Sequence, residues 1–256
     1  MTALLSGFRD ATTMTRRDLL HSMRAPGTLL IGLITPVFLL FMFVYVFGGS
    51  FNVGTAYVDY VAPGILLITA TYGCSMTAVR LAADMKEGIV DRFRTMAITR
   101  GSVLTGQVVG STVRTALSCV LVLALTLAMG FRPAVYPLAW LAAAGLVLLV
   151  TIAITWVTVA GALLAKSPEG ASYSTILVVL LPFVSSAFAP TRSMPGWLRW
   201  FAENQPFTPV TETLRALLMG TPVGHNWIIG VAWCVGFAVL GYAGAKLLFA
   251  RDRVRS

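Results

Sequence analysis

Acidic side chains are scarce: Asp and Glu together number 10 in 256 residues, and none falls inside a long apolar run. Proton-driven carriers place ionisable groups at membrane depth as relays, so this scarcity argues against a proton antiporter. The 2 histidines, His21 and His225, are isolated, and neither HExxH nor GxSxG occurs, which leaves metalloprotease and serine-hydrolase chemistry without its residues. The 3 cysteines, Cys74, Cys119 and Cys234, have neither CxxC spacing nor histidine neighbours. All three lie in apolar stretches, where a free thiol serves as a small packing residue rather than a metal ligand or half of a disulfide. GxxxxGK[ST] is missing too: the nearest stretch, GALLAKS at Gly161 to Ser167, has Ala165 where the second glycine belongs. The chain is therefore expected to bind no ATP, no metal and no cofactor of its own.

What is present in abundance is oil. Hydrophobic residues make up 57% and charged ones 11%, with mean hydropathy +0.82, against roughly 45–50% and 25% in soluble domains. A helix needs about twenty apolar residues to cross a bilayer core, and six charge-free runs approach that length: Gly27–Phe47, Tyr60–Val79, Thr115–Gly130, Pro137–Ala165, Ala171–Phe188 and Asn226–Ala245. The third is short unless its helix begins near Val108 and Arg114 snorkels to the interface. Gly32, Pro36, Gly64, Gly145, Pro182, Gly236 and Gly241 interrupt these runs, as is common in membrane helices, where neighbours satisfy freed backbone groups. The first run starts too late and runs too long for a signal peptide, so it is expected to be retained. The expected fold is an all-α membrane protein, one domain over 1–256 with six transmembrane helices.

Formal net charge is +9, and its placement reads as topology. With the N-terminus inside, the inner segments hold Arg9, Arg16, Arg17 and Arg24, then Lys86, Arg92, Arg94 and Arg100, then Lys166, then Arg251, Arg253 and Arg255. Outside remain Arg132, Arg192, Arg199 and Arg215. The positive-inside rule and contact with anionic membrane lipids account for this basicity without nucleic acid, and both termini are expected in the cytoplasm.

Three segments are not crossings. Residues 1–26 alternate Leu4, Leu5, Phe8, Leu19, Leu20 and Met23 with charged residues at near-helical spacing, which suits an amphipathic helix on the inner leaflet. Residues 189–225 lie outside, between the fifth and sixth crossings, and hold two helix-like patches, Gly196–Ala202 and Val210–Met219, parted by Asn204, Pro206 and Pro209. Trp197, Trp200, Phe201 and Phe207 settle at headgroup level, so a pair of re-entrant or surface helices is expected. The second is expected to start from a cap at Thr208 or Thr211, with Glu212 in its first turn.

The third, 84–102, contains KEGIVDRFRTMAITRG. Ile89, Phe93 and Met96 recur at helical spacing while Lys86, Glu87, Asp91, Arg92 and Arg94 fill the other faces. A short amphipathic helix of this kind fits a partner's groove. GQVVG, Gly106 to Gly110, matches the GxxxG contact motif, a pattern frequent by chance in glycine-rich chains.

At Glu87-Gly88-Ile89, Asp91-Arg92-Phe93-Arg94-Thr95-Met96 and Arg100, followed by MPGWLRWFAENQPFTPVTETLRALLMG, the sequence resembles the type-2 ABC exporter permeases, in particular the daunorubicin/doxorubicin-resistance-like branch. It departs from many relatives at Ala97, where they carry proline. The resemblance spans nearly the whole chain. It implies the transmembrane subunit of an ATP-driven exporter in the bacterial plasma membrane, pairing with a second copy or a related permease. Two copies of a separate P-loop ATPase, carrying ATP and Mg, would dock beneath. By the same resemblance Glu87, Gly88, Asp91, Arg92, Phe93, Arg94 and Met96 form the cytoplasmic coupling helix, and Asn204, Pro206, Thr208 and Pro209 mark the turn of an outer re-entrant cap.

The crossings offer Phe38, Phe41, Met42, Tyr45, Tyr72, Met76 and Phe183 and no buried charge for an ionic head, which suits a hydrophobic or amphiphilic cargo, a drug or a lipid. Two other readings stay open: a secondary transporter or flippase needing no ATPase, which should show an inverted internal repeat, and a membrane anchor that recruits a cytoplasmic protein and moves nothing.

Overall fold

The computed structural model describes residues 26–49, 53–87, 100–134, 136–165 and 167–251. The amphipathic segment expected at the N-terminus, apart from Pro26, and the positions Gly88 to Met96 lie outside the described residues. Among the described residues there is helix and connecting turn, with no strand.

Helix α1, Pro26–Phe41, contains Pro36 and widens into a π-helical stretch at Met42–Val46 before Gly48 and Gly49. Helix α2, Tyr57–Lys86, runs 30 residues, about 45 Å at 1.5 Å per residue. Asp59 in its first turn and Lys86 in its last complement the helix dipole. Helix α3 is Arg100–Ala128 and α4 is Pro137–Ala165, the latter opened by a proline at its first position. Helix α5, Pro168–Leu180, starts from Ser167, whose hydroxyl accepts from the Gly170 N–H at 3.0 Å. It tightens into a 3-10 turn at Leu181–Val184 around Pro182. Two short helices follow, α6 at Gly196–Asn204 and α7 at Phe207–Met219, then α8 at Asn226–Arg251. Gly220, at φ +68°, ends α7 in a left-handed conformation that glycine adopts without strain.

Four of these helices, α2, α3, α4 and α8, are long and apolar enough to cross a membrane, whereas α1 with its π extension and α5 with its 3-10 turn are shorter apolar helices. The sequence predicts six crossings; among the described residues four helices meet that length and apolarity, and the two shorter apolar helices stand in the first and fifth runs. The early end of the α-helix in the fifth run has a physical cause: Pro182 supplies no N–H, so the α-helix gives way to a 3-10 turn before the apolar residues end. The third helix begins at Arg100, well ahead of the apolar run that signals it.

Helix α2 is the axis. Every residue from Val61 to Thr71 is buried, and a helix enclosed on all sides loses the one-sided apolar stripe of a surface helix. Helices α3, α4 and α5 pack around it, and α8 packs against the far side of α4. Close approach is set by glycine: a Cβ at Gly241 of α8 would lie 2.7 Å from the Trp156 carbonyl carbon of α4. Helices α6 and α7 close one end of the bundle, with α7 against α2, α4 and α8.

Candidate functional site

The capped end is held together by a dense set of side-chain hydrogen bonds. Helix α7 carries Arg215 inward at its middle, with 13% of the side chain exposed. The guanidinium donates to the Tyr60 carbonyl at 3.1 and 3.2 Å, to the Ser186 carbonyl at 2.8 Å, and to Glu212 Oε1 at 2.7 Å. It also lies 3.8 Å over the Tyr60 ring, a cation–π arrangement. One side chain thus ties α7 to the start of α2 and to the turn after α5.

That turn, 185–188, is held from several directions. Tyr60 donates its hydroxyl to the Ser186 carbonyl and Tyr57 to the Phe188 carbonyl, both at 2.9 Å. The Ser186 N–H donates to Thr208 Oγ1 at 3.3 Å. Gly64 admits Ala187 so closely that an added Cβ would sit 2.7 Å from the alanine methyl. Phe43 and Phe183 stack on Phe188 with centroids 4.1 and 5.3 Å away. The open carbonyls of the 3-10 turn that ends α5 are met by Gln205, whose Nε2 donates to Leu181 O at 3.2 Å and Val184 O at 3.0 Å. This is how a helix can end inside an apolar body without leaving orphaned backbone groups.

The positions expected to mark the cap's turn are distributed as follows. Asn204 closes α6, its Nδ2 donating to Trp200 O at 2.7 Å. Pro206 immediately precedes α7, while Thr208 and Pro209 lie within that helix's first turn. Helix α7 therefore starts at Phe207, ahead of the cap expected at Thr208 or Thr211; Thr208 spends its hydroxyl on Ala202 O instead, and Glu212 falls in the second turn. Helix α6 exposes Trp197 and Trp200, the side suited to headgroup level. The roles of Arg215, Gln205, Tyr57 and Tyr60 escape sequence reading: Arg215 reads as one more outside charge, and only its placement opposite two carbonyls shows its use.

At the other end, Glu87 closes α2, exposed, its N–H bonded to Ala83 O at 3.0 Å. Gly88, Asp91, Arg92, Phe93, Arg94 and Met96 are among the positions outside the described residues. Between the two ends α2 meets its neighbours through hydroxyls: Thr77 lies 2.7 Å from Ser111 Oγ on α3, and Ser75 donates to Thr175 on α5 at 2.7 Å. The Arg114 guanidinium, expected to snorkel, lies against α2 and donates to Thr77 Oγ1 at 3.3 Å. A half-buried cation does therefore lie within the bundle. Gly106 and Gly110 are buried inside the chain. Of the aromatic and methionine residues considered for cargo, Phe38, Phe41, Tyr45 and Met76 are exposed.

Two apolar cavities flank the capped half of α4. One, of about 420 Å³, lies between α4, α7 and α8 and is lined by Gly145, Leu149, Leu217, Trp227 and Val231 among others. The other, of about 200 Å³, lies between α3 and α4.

Residues 9–219 match the family described as ABC-2 type transporter. The chain is 29% identical to the daunorubicin resistance ABC transporter permease protein DrrB1 of Streptomyces coeruleorubidus, over 97% of this chain and 89% of that protein. It is 28% identical to the putative transport permease ycf38 of Porphyra purpurea, over 94% and 84% of the two lengths. Similarity to the probable doxorubicin resistance ABC transporter permease protein DrrC of Mycobacterium tuberculosis is 24% identity over 70% of this chain and 65% of that protein.

Proposed function

We propose that this chain, which belongs to the ABC-2 type transporter family, is the membrane-spanning subunit of an ATP-driven exporter, moving a hydrophobic or amphiphilic molecule and powered by a separate ATPase subunit. It has no ATPase site of its own; ATP and Mg belong to the partner, two copies of which serve a pair of permeases. The names of the drug-resistance relatives favour this cargo class. So does the apolar lining of the larger cavity.

The observation that carries the reading is the continuity of α2. This single helix runs from the Arg215 staple at the cap to Glu87, where the segment expected to grip the ATPase begins. ATPase closure pulls on the segment Glu87 to Met96; a rigid rod delivers that displacement to the cap, and the bundle tilts from inward to outward access. The chain crosses the bilayer six times, α1 and α5 completing the count, with both termini inside. Supporting this orientation, Lys86, Arg100 and Arg251 mark helix ends opposite the cap, and basic side inward is the rule.

The test is ATP turnover and transport in the reconstituted complex. Phe93→Ala and Arg92→Ala should each weaken ATPase attachment by about 1–4 kcal/mol, the range of interface anchors. Unchanged attachment and turnover would remove the coupling role, and transport by the purified chain alone would replace the ATP-driven reading with a secondary carrier.

A further inference from the structure

The smaller cavity has features that the export reading does not use. Helices α3 and α4 each pack on α2 more extensively than on one another, which leaves a trough between them. Its floor is Leu66 of α2, its walls include Cys119, Leu123 and Ala144, and Leu214 and Leu218 of α7 close its capped end with Trp140. The only polar side-chain atoms in this lining are already engaged: Trp140 Nε1 donates to Ala134 O at 3.0 Å, and the Cys119 thiol faces Leu66 O at 3.8 Å. A polar ligand has nothing to bond there. The trough opens sideways, past Val120 and Leu148, which are 60% and 40% exposed. Both flanking helices are long and apolar enough to cross a membrane, so the mouth faces hydrocarbon.

The head of the trough is charged. The connection from α3 to α4 is fastened over it, with the Ala134 N–H bonded to Leu218 O at 2.7 Å and Trp140 bonded to Ala134 O. Two residues earlier Arg132 is exposed; its backbone N–H occupies the Asp59 carboxylate at 3.0 Å. An indole in the lining of an apolar slot and an exposed arginine in the connection fastened over it match a lipid standing upright in the bilayer: chain below, anionic headgroup at the interface.

We propose that the trough between α3 and α4 is a binding site for one acyl chain of an anionic phospholipid from the leaflet on the capped side, its headgroup held beside Arg132. The site needs only that the chain lie in a bilayer, and is independent of what is exported.

Native mass spectrometry of the intact chain, purified from membranes containing phosphatidylcholine and phosphatidylglycerol and washed in detergent, tests this. Wild type should keep one phosphatidylglycerol per chain. Ala144→Phe, which fills the trough, should lose at least nine-tenths of it, while Leu141→Phe on the exposed side of α4 should keep it. Arg132→Gln should retain lipid but lose the preference for phosphatidylglycerol. Equal retention of both lipids by wild type, or a folded Ala144→Phe that holds lipid as wild type does, overturns the site. Should Ala144→Phe fail to fold, brominated-chain phosphatidylglycerol decides instead. The fluorescence lost on removing Trp140 by Trp140→Phe must be the strongly quenched part of the total, and an unquenched Trp140 overturns the site. None of these readouts involves transport, so their failure leaves the export reading standing.

Discussion

Arg215→Ala separates the cap from the helix it is fastened to. The arginine makes charge-assisted hydrogen bonds to two carbonyls and one carboxylate, and breaking a buried ion pair by removing one partner costs about 3–5 kcal/mol. Two features lower that figure here. Glu212 is 36% exposed on its side chain, so its carboxylate recovers water, and Ser186 O keeps the Tyr60 hydroxyl at 2.9 Å. What remains is the loss of the guanidinium's bonds and its seat over Tyr60, about 2–3 kcal/mol. At 1.4 kcal/mol per tenfold, amide hydrogen exchange across Phe207–Met219 should speed up roughly 30- to 140-fold if α7 opens as a unit. Amides in the middle of α4 should be unaffected. Arg215→Lys should recover only part of the protection, because a point charge cannot span two carbonyls and a carboxylate as a planar guanidinium does. Exchange in α7 within threefold of wild type for Arg215→Ala would refute the staple.

Gly241→Ala brings a methyl to 2.7 Å from the backbone of Trp156 and Val157; overpacking of this kind costs about 1–3 kcal/mol, seen as a drop of several degrees in Tm in detergent, whereas Gly236→Ala, with open space around it, should be neutral. The Glu203 carboxyl is held below its ordinary value of 4.5 by hydrogen bonds from Arg199 Nε and then Thr191 Oγ1. A lowered folded pKa means the contact is complete above pH 4.5 and is lost as pH falls through the lower folded value. Emission from Trp197 and Trp200 should therefore change only on that acid limb, and Glu203→Gln should abolish the step; a flat wild-type titration counts against it.

The apolar helices were legible because lipid imposes the simplest of codes, length without charge. Tyr57–Lys86, Pro137–Ala165 and Asn226–Arg251 all contain the runs that predict them. The code fails at ends. It places the start of the third helix late, because Arg100 to Arg114 mix charge and hydroxyls with small residues, and their partners on α2, such as Thr77 for Arg114, are far away in sequence. Nor could it show that the run Ala171–Phe188 leaves α-helix for a 3-10 turn at Leu181–Val184, since membrane helices tolerate Pro182 and the carbonyls left open are met by Gln205 from another element. The cap's two helices showed in its tryptophans and prolines. Its fastening did not, because Arg215, Tyr60 and Ser186 are brought together from three separate stretches of chain.

The bonds along α2 differ in strength in a way that decides how the helix can move. At the cap it is held by a charged fork and two tyrosine hydroxyls. Along its length it meets α3 and α5 through isolated side-chain contacts: Thr77 with Ser111, Ser75 with Thr175, the Arg114 guanidinium on Thr77 Oγ1 at 3.3 Å and Gln107 Nε2 on Asp84 Oδ2 at 3.2 Å, and side-chain hydrogen bonds between membrane helices average only about 0.6 kcal/mol. On the coupling proposed above, a load at Glu87 is expected to part this seam before the staple, where one guanidinium bonds two carbonyls and a carboxylate, so that α2 carries the cap with it. Locking the seam should stop the transporter while leaving the fold intact. With Cys74, Cys119 and Cys234 replaced, Thr77→Cys together with Ser111→Cys sets two sulfurs where hydroxyl oxygens stand 2.7 Å apart, close enough for a disulfide to form with small adjustment. Oxidation should abolish transport in the reconstituted complex and reduction should restore it. Full transport with the disulfide formed would show that α2 and α3 travel together, and a displacement of α2 relative to α3 would have to be abandoned.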